Sequence, residues 1–205
     1  MPTPQESLAE VLAPYEENPE KYSEKWRKAS TDIAWAPLLD LFLPPVCHLA
    51  DIAAGDGRDA QYFEQKGYHV TAVEPSKALR TLAQKLLGID SRVTWVDDFL
   101  PLLTTIERDA FEMVTVCAGF VHIRPEDQKS SFLSLCEIVR KGGRIALSLR
   151  DGENDVQRKM YSTDSNNFML WAEEIGIKIL RAYNQYPDAR GNAGVSWNYL
   201  MFERP

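Results

Sequence analysis

Two carboxylates and two glycines set the chemistry of this 205-residue chain. Asp51 stands four positions ahead of Gly55, Gly57 follows, and Glu74 lies further on, in the stretch that begins Leu49-Ala50-Asp51-Ile52-Ala53-Ala54-Gly55-Asp56-Gly57-Arg58-Asp59-Ala60. The short apolar run Val46-Cys47-His48-Leu49 ahead of it reads as a buried parallel strand. Ala60 to Lys66 reads as a helix with Tyr62 and Phe63 on its inner side. A strand that feeds a helix through glycines lets the backbone pass close to a ligand. It also aims the unpaired N–H groups of the helix start into the crevice above the strand ends.

Two ligands fit such a loop. Gly55, Gly57 and Ala60 satisfy G-x-G-x-x-G/A, and Glu74 stands about 20 residues on, where a dinucleotide site places its ribose-binding acid. That pattern alone suits a nicotinamide-dependent reductase. Asp51 points elsewhere, because a carboxylate at the strand end repels a diphosphate. It suits a ligand that carries an amino group or a sulfonium.

With that acid, the motif Asp51-x-Ala53-x-Gly55-x-Gly57 resembles the first motif of the class I S-adenosylmethionine-dependent methyltransferases. The resemblance runs from about Tyr22 to the C-terminus. Ser148-Leu149-Arg150-x-Gly152 makes it most similar to the small bacterial tellurite-resistance-like group. It implies S-adenosylmethionine as cofactor and S-adenosylhomocysteine as product. Glu74 would accept the ribose hydroxyls. Asp98 would accept from the adenine amine while the Phe99 N–H donates to the ring, with Asp97 as a one-residue slip. Tyr22 would fold over the methionine end, and Arg58, Pro75, Cys117 and Ala118 would complete the cofactor wall.

The segment Ala118-Gly119-Phe120-Val121-His122-Ile123-Arg124-Pro125 faces the methyl in such enzymes. It lacks the Asn/Asp-Pro-Pro-Tyr/Phe found there in relatives that methylate bases and amides, so it departs from them. His122 has two readings, a base that takes a proton from the acceptor or a ring that bonds backbone. His48 and His69 read as structural. Arg150, at the end of its strand, could clamp an anionic substrate or pair with a neighbouring acid. Trp26, Arg190 and Trp197 are the other candidates for the acceptor pocket, against core packing for both rings. The polar stretch 153–167 offers Arg158, Lys159, Met160 and Tyr161 at its border.

These residues need a frame. Residues 1–43 read as a helical arm or lid, with a short helix Ser7–Leu12 ending at Pro14, a second at Tyr22–Lys28 and a third at Asp32–Leu43 stopped by Pro44-Pro45. Residues 44–205 read as the core of one domain. Strands fall at 46–49, 69–73, 92–96, 111–117, 144–150, 177–183 and 195–202. Helices fall at 60–66, 77–87 closed by Gly88, 125–139 stopped by Gly142-Gly143, and 167–175 closed by Gly176. Pro187, Gly191 and Gly194 leave no helix between the last two strands, so these pair as an antiparallel hairpin. The expected fold is a three-layer α/β Rossmann-like sandwich. Its seven-stranded sheet has the order 3-2-1-4-5-7-6 and is mostly parallel, with strand seven antiparallel.

Composition narrows the partners. With 23 Lys and Arg against 30 Asp and Glu the net charge is -7, which argues against a nucleic-acid backbone as partner. Three cysteines without a C-x-x-C argue against a disulfide framework or a zinc site, and no metal site is expected. No apolar run is long enough to span a bilayer and no signal region precedes the chain, so the expected location is cytoplasmic. Nothing in the sequence fixes the oligomeric state. The expected activity is methyl transfer from S-adenosylmethionine to a small molecule by direct displacement, which needs positioning more than a strong catalytic constellation. The alternatives are the nicotinamide reductase and a non-catalytic sensor or scaffold that binds S-adenosylmethionine.

Overall fold

Alternating strands and helices from His48 onward build one seven-stranded sheet with helices on both faces. The computed structural model describes residues 3–153, 158–188 and 190–205. The strands are β1 (His48–Ile52), β2 (His69–Val73), β3 (Thr94–Val96), β4 (Phe111–Cys117), β5 (Val139–Gly152), β6 (Lys178–Pro187) and β7 (Val195–Glu203). They lie in the order β3-β2-β1-β4-β5-β7-β6. Pairs from β3 through β5 are parallel, and β7 runs antiparallel to both β5 and β6. This is the order and polarity expected from the sequence.

The strands at the centre are buried on both faces, and their alternation divides the core. Val114 and Val116 of β4 point to one side with Ile145, Leu147 and Phe202. There they meet helix α6 (Pro125–Ile138) through Phe132 and Leu135, and helix α7 (Ser165–Glu174) through Phe168. Met113 of β4 points to the other side with Leu49, Ala146 and Met201. There it meets Phe63 of helix α4 (Arg58–Gln65) and Trp35 of helix α3 (Thr31–Trp35). A side-chain period of two on the strands and an apolar stripe on each helix are what hold three layers together. Helix α5 (Lys77–Leu87) starts with the Ser76 hydroxyl accepting the Leu79 N–H and ends at Gly88.

Local chemistry moved several boundaries. Helix α1 spans Pro4–Glu17 and carries Pro14 inside it, where a stop was expected. A capping box between Thr3 and Glu6 secures its start. Pro14 sits near its end, where the missing N–H costs one bond in a helix that has little further to run. Helix α2 covers Pro19–Trp26. The long helix expected over 32–43 is instead α3, a turn and a short 3-10 helix at Leu39–Leu41, because Pro37 withholds its N–H.

β1 begins two residues late: Val46 has a positive φ of 81°, is exposed, and donates its N–H to Gly67. Tyr62 is half-buried, and Phe63 alone is fully inside. Helix α6 passes straight into β5 at Val139, so Gly142-Gly143 do not end a helix. They lie in a bulge where Phe111 pairs with Val139 and Met113 with Arg144. Of the loop expected over 153–167, residues 154–157 lie outside the described residues. Among the described residues no helix is long and apolar enough to cross a membrane.

Phe132 is fully buried and touches Phe168, Trp171 and Phe202, with ring centroids 5.1–6.4 Å apart. Phe132→Ala should therefore cost about 3–5 kcal/mol of stability, read as a lowered urea midpoint at unchanged slope; a shift of under about 1 kcal/mol would contradict this packing.

Candidate functional site

A cavity of about 500 Å³ opens above the carboxyl ends of β1, β2, β4 and β5, within the size range of small-molecule sites. β1 and β4 end on Ala53 and Ala118, both in the left-handed region, with φ 58° and 56°. An alanine held there is strained by about 1–2 kcal/mol, and both line the cavity. Gly55 and Gly57, at φ 58° and 73°, continue the turn without that cost. The Trp26 ring lies against Gly55, and Trp95 packs so close to Gly57 that a Cβ would meet it at 3.0 Å.

Asp51 is the buried end of β1. Its Oδ1 accepts the Thr115 hydroxyl at 3.0 Å, and its Oδ2 is buried with no partner. Burial, then the nearby Asp59, push its carboxyl well above the carboxylate range. An uncompensated buried acceptor of this kind is costly until a donor arrives. Glu74, also buried, accepts the Gly55 N–H and the Ser76 N–H, both at 2.8 Å. Burial lifts its carboxyl to about 7 against those two bonds. Asp98 lies on the same side of the cavity and accepts from the Phe99 N–H, the Thr105 N–H and the Thr105 hydroxyl. The Phe99 N–H, expected to meet a ring nitrogen, thus has Asp98 as its partner. Asp97 is exposed, pairs with Arg80 and does not line the cavity.

The other two acids of the glycine loop also border the cavity, but their carboxylates are taken up by the N-terminal segment. Asp56 accepts Ser23 and Arg27, each at 2.6 Å. Asp59 accepts Thr31 at 2.7 Å, Trp35 at 3.1 Å and Arg58 at 2.7 Å. They fasten α2 and α3 to the loop. Arg58 lines the cavity, but its guanidinium also donates to the Trp26 carbonyl and approaches Cys117 Sγ at 3.6 Å. It ties β4 to the arm. Cys117 lines the cavity beside Ala118, its thiol pushed up to about 12 by burial and then by Asp59. Pro75 lines it next to Glu74.

Tyr22 does not line the cavity, contrary to expectation. Its ring is buried between Tyr15, at 4.7 Å, and Leu79. Tyr15, buried and seven residues ahead of it on α1, lines the cavity instead, because α1 continues through Pro14. The Tyr15 hydroxyl donates to His122 Nε2 at 2.9 Å, and His122 Nδ1–H donates to the Lys159 carbonyl at 3.0 Å. A carbonyl only accepts, so Nδ1 carries the proton and Nε2 the lone pair. Burial, with Arg158 adding to it, pushes the imidazole down to about 4. Burial pushes the Tyr15 phenol up to about 12. A proton does not move from such a phenol to such an imidazole, so the pair is a fixed polar lock and His122 is a poor base. The missed signal was Tyr15 itself, hidden by ending the first helix at Pro14.

Arg150, Arg158, Arg190 and Trp197 close the far side. Arg150 donates to the Gly152 and Glu153 carbonyls. Arg158 approaches the Tyr15 hydroxyl at 3.4 Å and lies over the Tyr22 ring at 5.9 Å. Arg190 pairs with Asp188 at 3.2 Å and lies 6.0 Å from the Trp197 ring. Asp188 also accepts from Trp197 Nε1 at 2.8 Å and from Asn192, bonds that outweigh its burial and hold its carboxyl below the usual range. Leu8, Val11 and Leu12 of α1 supply an apolar roof. His48 and His69 are exposed first residues of their strands, far from these walls, with rings 5.2 Å apart. Among the described residues no group of three or more His, Cys, Asp or Glu is placed to hold a metal ion.

Residues 49–143 match the family model of the methyltransferase domain. No curated protein matches the sequence. Among solved structures, the chain is similar to 1,6-didemethyltoxoflavin-N1-methyltransferase of Burkholderia thailandensis, at TM-score 0.73 and 18% identity over 100% of this chain and 91% of that one. It is similar to a TehB-like S-adenosylmethionine-dependent methyltransferase of Corynebacterium glutamicum, at 0.70 and 19% over 92% and 99%. It is also similar to phosphoethanolamine N-methyltransferase 2 of Haemonchus contortus, at 0.67 and 16%, covering 83% of this chain and 52% of that one. At such identities the likeness is one of fold.

The lock has a pH signature. His122 is held neutral in the folded chain and gains a proton more readily once unfolded, near its ordinary 6.5. Stability should thus be full above about 6.5 and fall as pH drops from there toward 4. Nitrogen-15 NMR should show the Nδ1–H tautomer of His122 at pH 6; titration of its ring near 6.5 would contradict the lock.

Proposed function

We propose that this chain, whose residues 49–143 match the methyltransferase-domain model on a class I fold, is an S-adenosylmethionine-dependent transferase that methylates a small organic molecule. The observation that carries this reading is the buried Oδ2 of Asp51, an acceptor without a hydrogen-bond partner on a residue that lines the cavity. An ammonium group would satisfy it, and a diphosphate would be repelled by it. The residues present therefore fit the amino-acid end of the cofactor and not a nicotinamide dinucleotide.

When bound, S-adenosylmethionine supplies a methyl group on a positively charged sulfur that a nucleophile displaces directly. Asp51 would take the ammonium. Glu74, fixed by the N–H groups of Gly55 and Ser76, would accept the ribose hydroxyls with its remaining lone pairs. Asp98, Phe99 and Pro75 would border the adenine, and Trp26 would close the glycine loop from above. Cys117, Ala118 and Gly119 would line the point where the two reactants meet. The apolar roof from α1 would exclude water there, so that orientation supplies most of the rate.

Several features support a small acceptor. The cavity is enclosed by the protein's own N-terminal helix, and its surface charge is negative overall. The Burkholderia and Haemonchus enzymes are named for small acceptors, 1,6-didemethyltoxoflavin and phosphoethanolamine.

Calorimetry should show S-adenosylhomocysteine binding to the wild-type chain. Asp51→Asn and Glu74→Gln should each weaken it about ten- to a hundredfold, the loss expected of one charge-assisted bond. No binding by the wild-type chain would overturn the proposal. The affinity should also rise with pH. Burial lifts Glu74 to about 7 and Asp51 well above its ordinary value, and both must be ionised to accept from the ligand. Affinity at pH 6 should lie below that at pH 8, and a pH-independent constant would show that neither carboxylate meets the ligand.

A further inference from the structure

Three arginines gather on one side of the cavity. Asp51, Glu74 and Asp98 come from the ends of β1, β2 and β3 on the other, while Asp188, paired with Arg190, and Glu153 lie with the arginines. Arg150 ends β5, Arg158 follows it, and Arg190 comes from the β6–β7 link. In the sheet order, β4 separates the two groups. The methyl group would arrive at that boundary, beside Cys117 and Ala118, with the arginines beyond it.

The arginine side also lacks a ready base. His122 Nε2 already accepts from Tyr15, and its Nδ1–H is given to Lys159. Tyr15 and Arg158 are the titratable groups that face it. Asp188 accepts from Trp197, Asn192 and Arg190. Glu153 is exposed at the rim. Among the described residues on this side, a neutral hydroxyl would find no unengaged base to take its proton during transfer. A cationic amine would meet three guanidinium groups, of which Arg190 is paired with Asp188.

We propose, on the basis of the methyltransferase reading above, that the acceptor is a small organic anion whose own ionised atom is the nucleophile, drawn to the Arg150–Arg158–Arg190 side of the cavity. A lone pair of that atom forms the bond to the methyl carbon as the carbon–sulfur bond breaks. The electron pair of that bond goes to sulfur, which becomes neutral. The anion and the sulfonium give two uncharged reaction centres, and no proton changes hands. The apolar roof of Leu8, Val11 and Leu12 suits the organic body of such an anion and the neutralised product alike.

The test uses three probes of one size: benzoate, benzyl alcohol and benzylamine. They are titrated by calorimetry into the full chain saturated with S-adenosylhomocysteine. Benzoate should bind at least tenfold more tightly than the other two. Arg150→Gln and, separately, Arg190→Gln should each cut that preference at least threefold while S-adenosylhomocysteine still binds, which shows the variants are folded. Benzoate binding no better than benzyl alcohol or benzylamine, or not at all, overturns the proposal. In a labelled-methyl assay, transfer to thiophenol supports it, and transfer to benzyl alcohol, which needs a base, overturns it. If S-adenosylhomocysteine itself fails to bind, the methyltransferase reading falls, and the same three titrations on the bare chain still decide the charge preference.

Discussion

Burial of carboxylates that no cation pairs directly is the constraint around which this protein is arranged. Asp51 and Glu74 sit at the ends of β1 and β2 almost shut off from water, a position that raises the energy of their charged forms. The fold offers each only partial relief: one hydroxyl from Thr115 for Asp51, two backbone N–H groups for Glu74. Such an arrangement weakens the empty protein and strengthens its hold on a ligand that brings donors and positive charge. The glycine turn, the left-handed alanines and the helix start beside them bring the backbone close to both acids, as the proposed ligand would require.

Not every acid in the loop has this role. Asp56 and Asp59 differ from Asp51 only in having partners, and the partners come from the N-terminal segment: Ser23, Arg27, Thr31 and Trp35. The same loop therefore holds one half-satisfied carboxylate and two fully satisfied ones, all three buried. The satisfied pair anchors α2 and α3, and through them α1, over the opening. Arg58 pairs directly with Asp59, and its weaker pull on Asp51 does not offset the burial of that carboxyl.

Much of this was legible in the sequence, for physical reasons. The central strands read well because a strand buried on both faces is a continuous apolar run, as in Phe111–Cys117. The motif read well because the glycines, the acid at the strand end and Glu74 are linked by short-range geometry. What failed was governed by contacts distant in the chain. Pro14 lies inside a helix, and nothing near it in sequence reveals that α1 packs on α5 and brings Tyr15 to His122, 107 residues away. Tyr22 was assigned the position that Tyr15 holds for the same reason. Gly142-Gly143 looked like a helix stop and instead form a bulge, because Val139 already pairs with Phe111. The partners of Asp98 and Asp188 were hidden in the same way, since Thr105 and Asn192 carry no motif.

The walls of the cavity come from different parts of the chain. The segment 49–143 that matches the family model supplies Asp51, Glu74, Asp98 and His122, whereas the roof on α1 and the arginines at 150, 158 and 190 lie outside it. Descendants of this chain can thus acquire a new substrate by changing its two ends while the middle stays as it is. Two proteins with near-identical centres need share no metabolite, and a comparison confined to the centre is blind to that divergence.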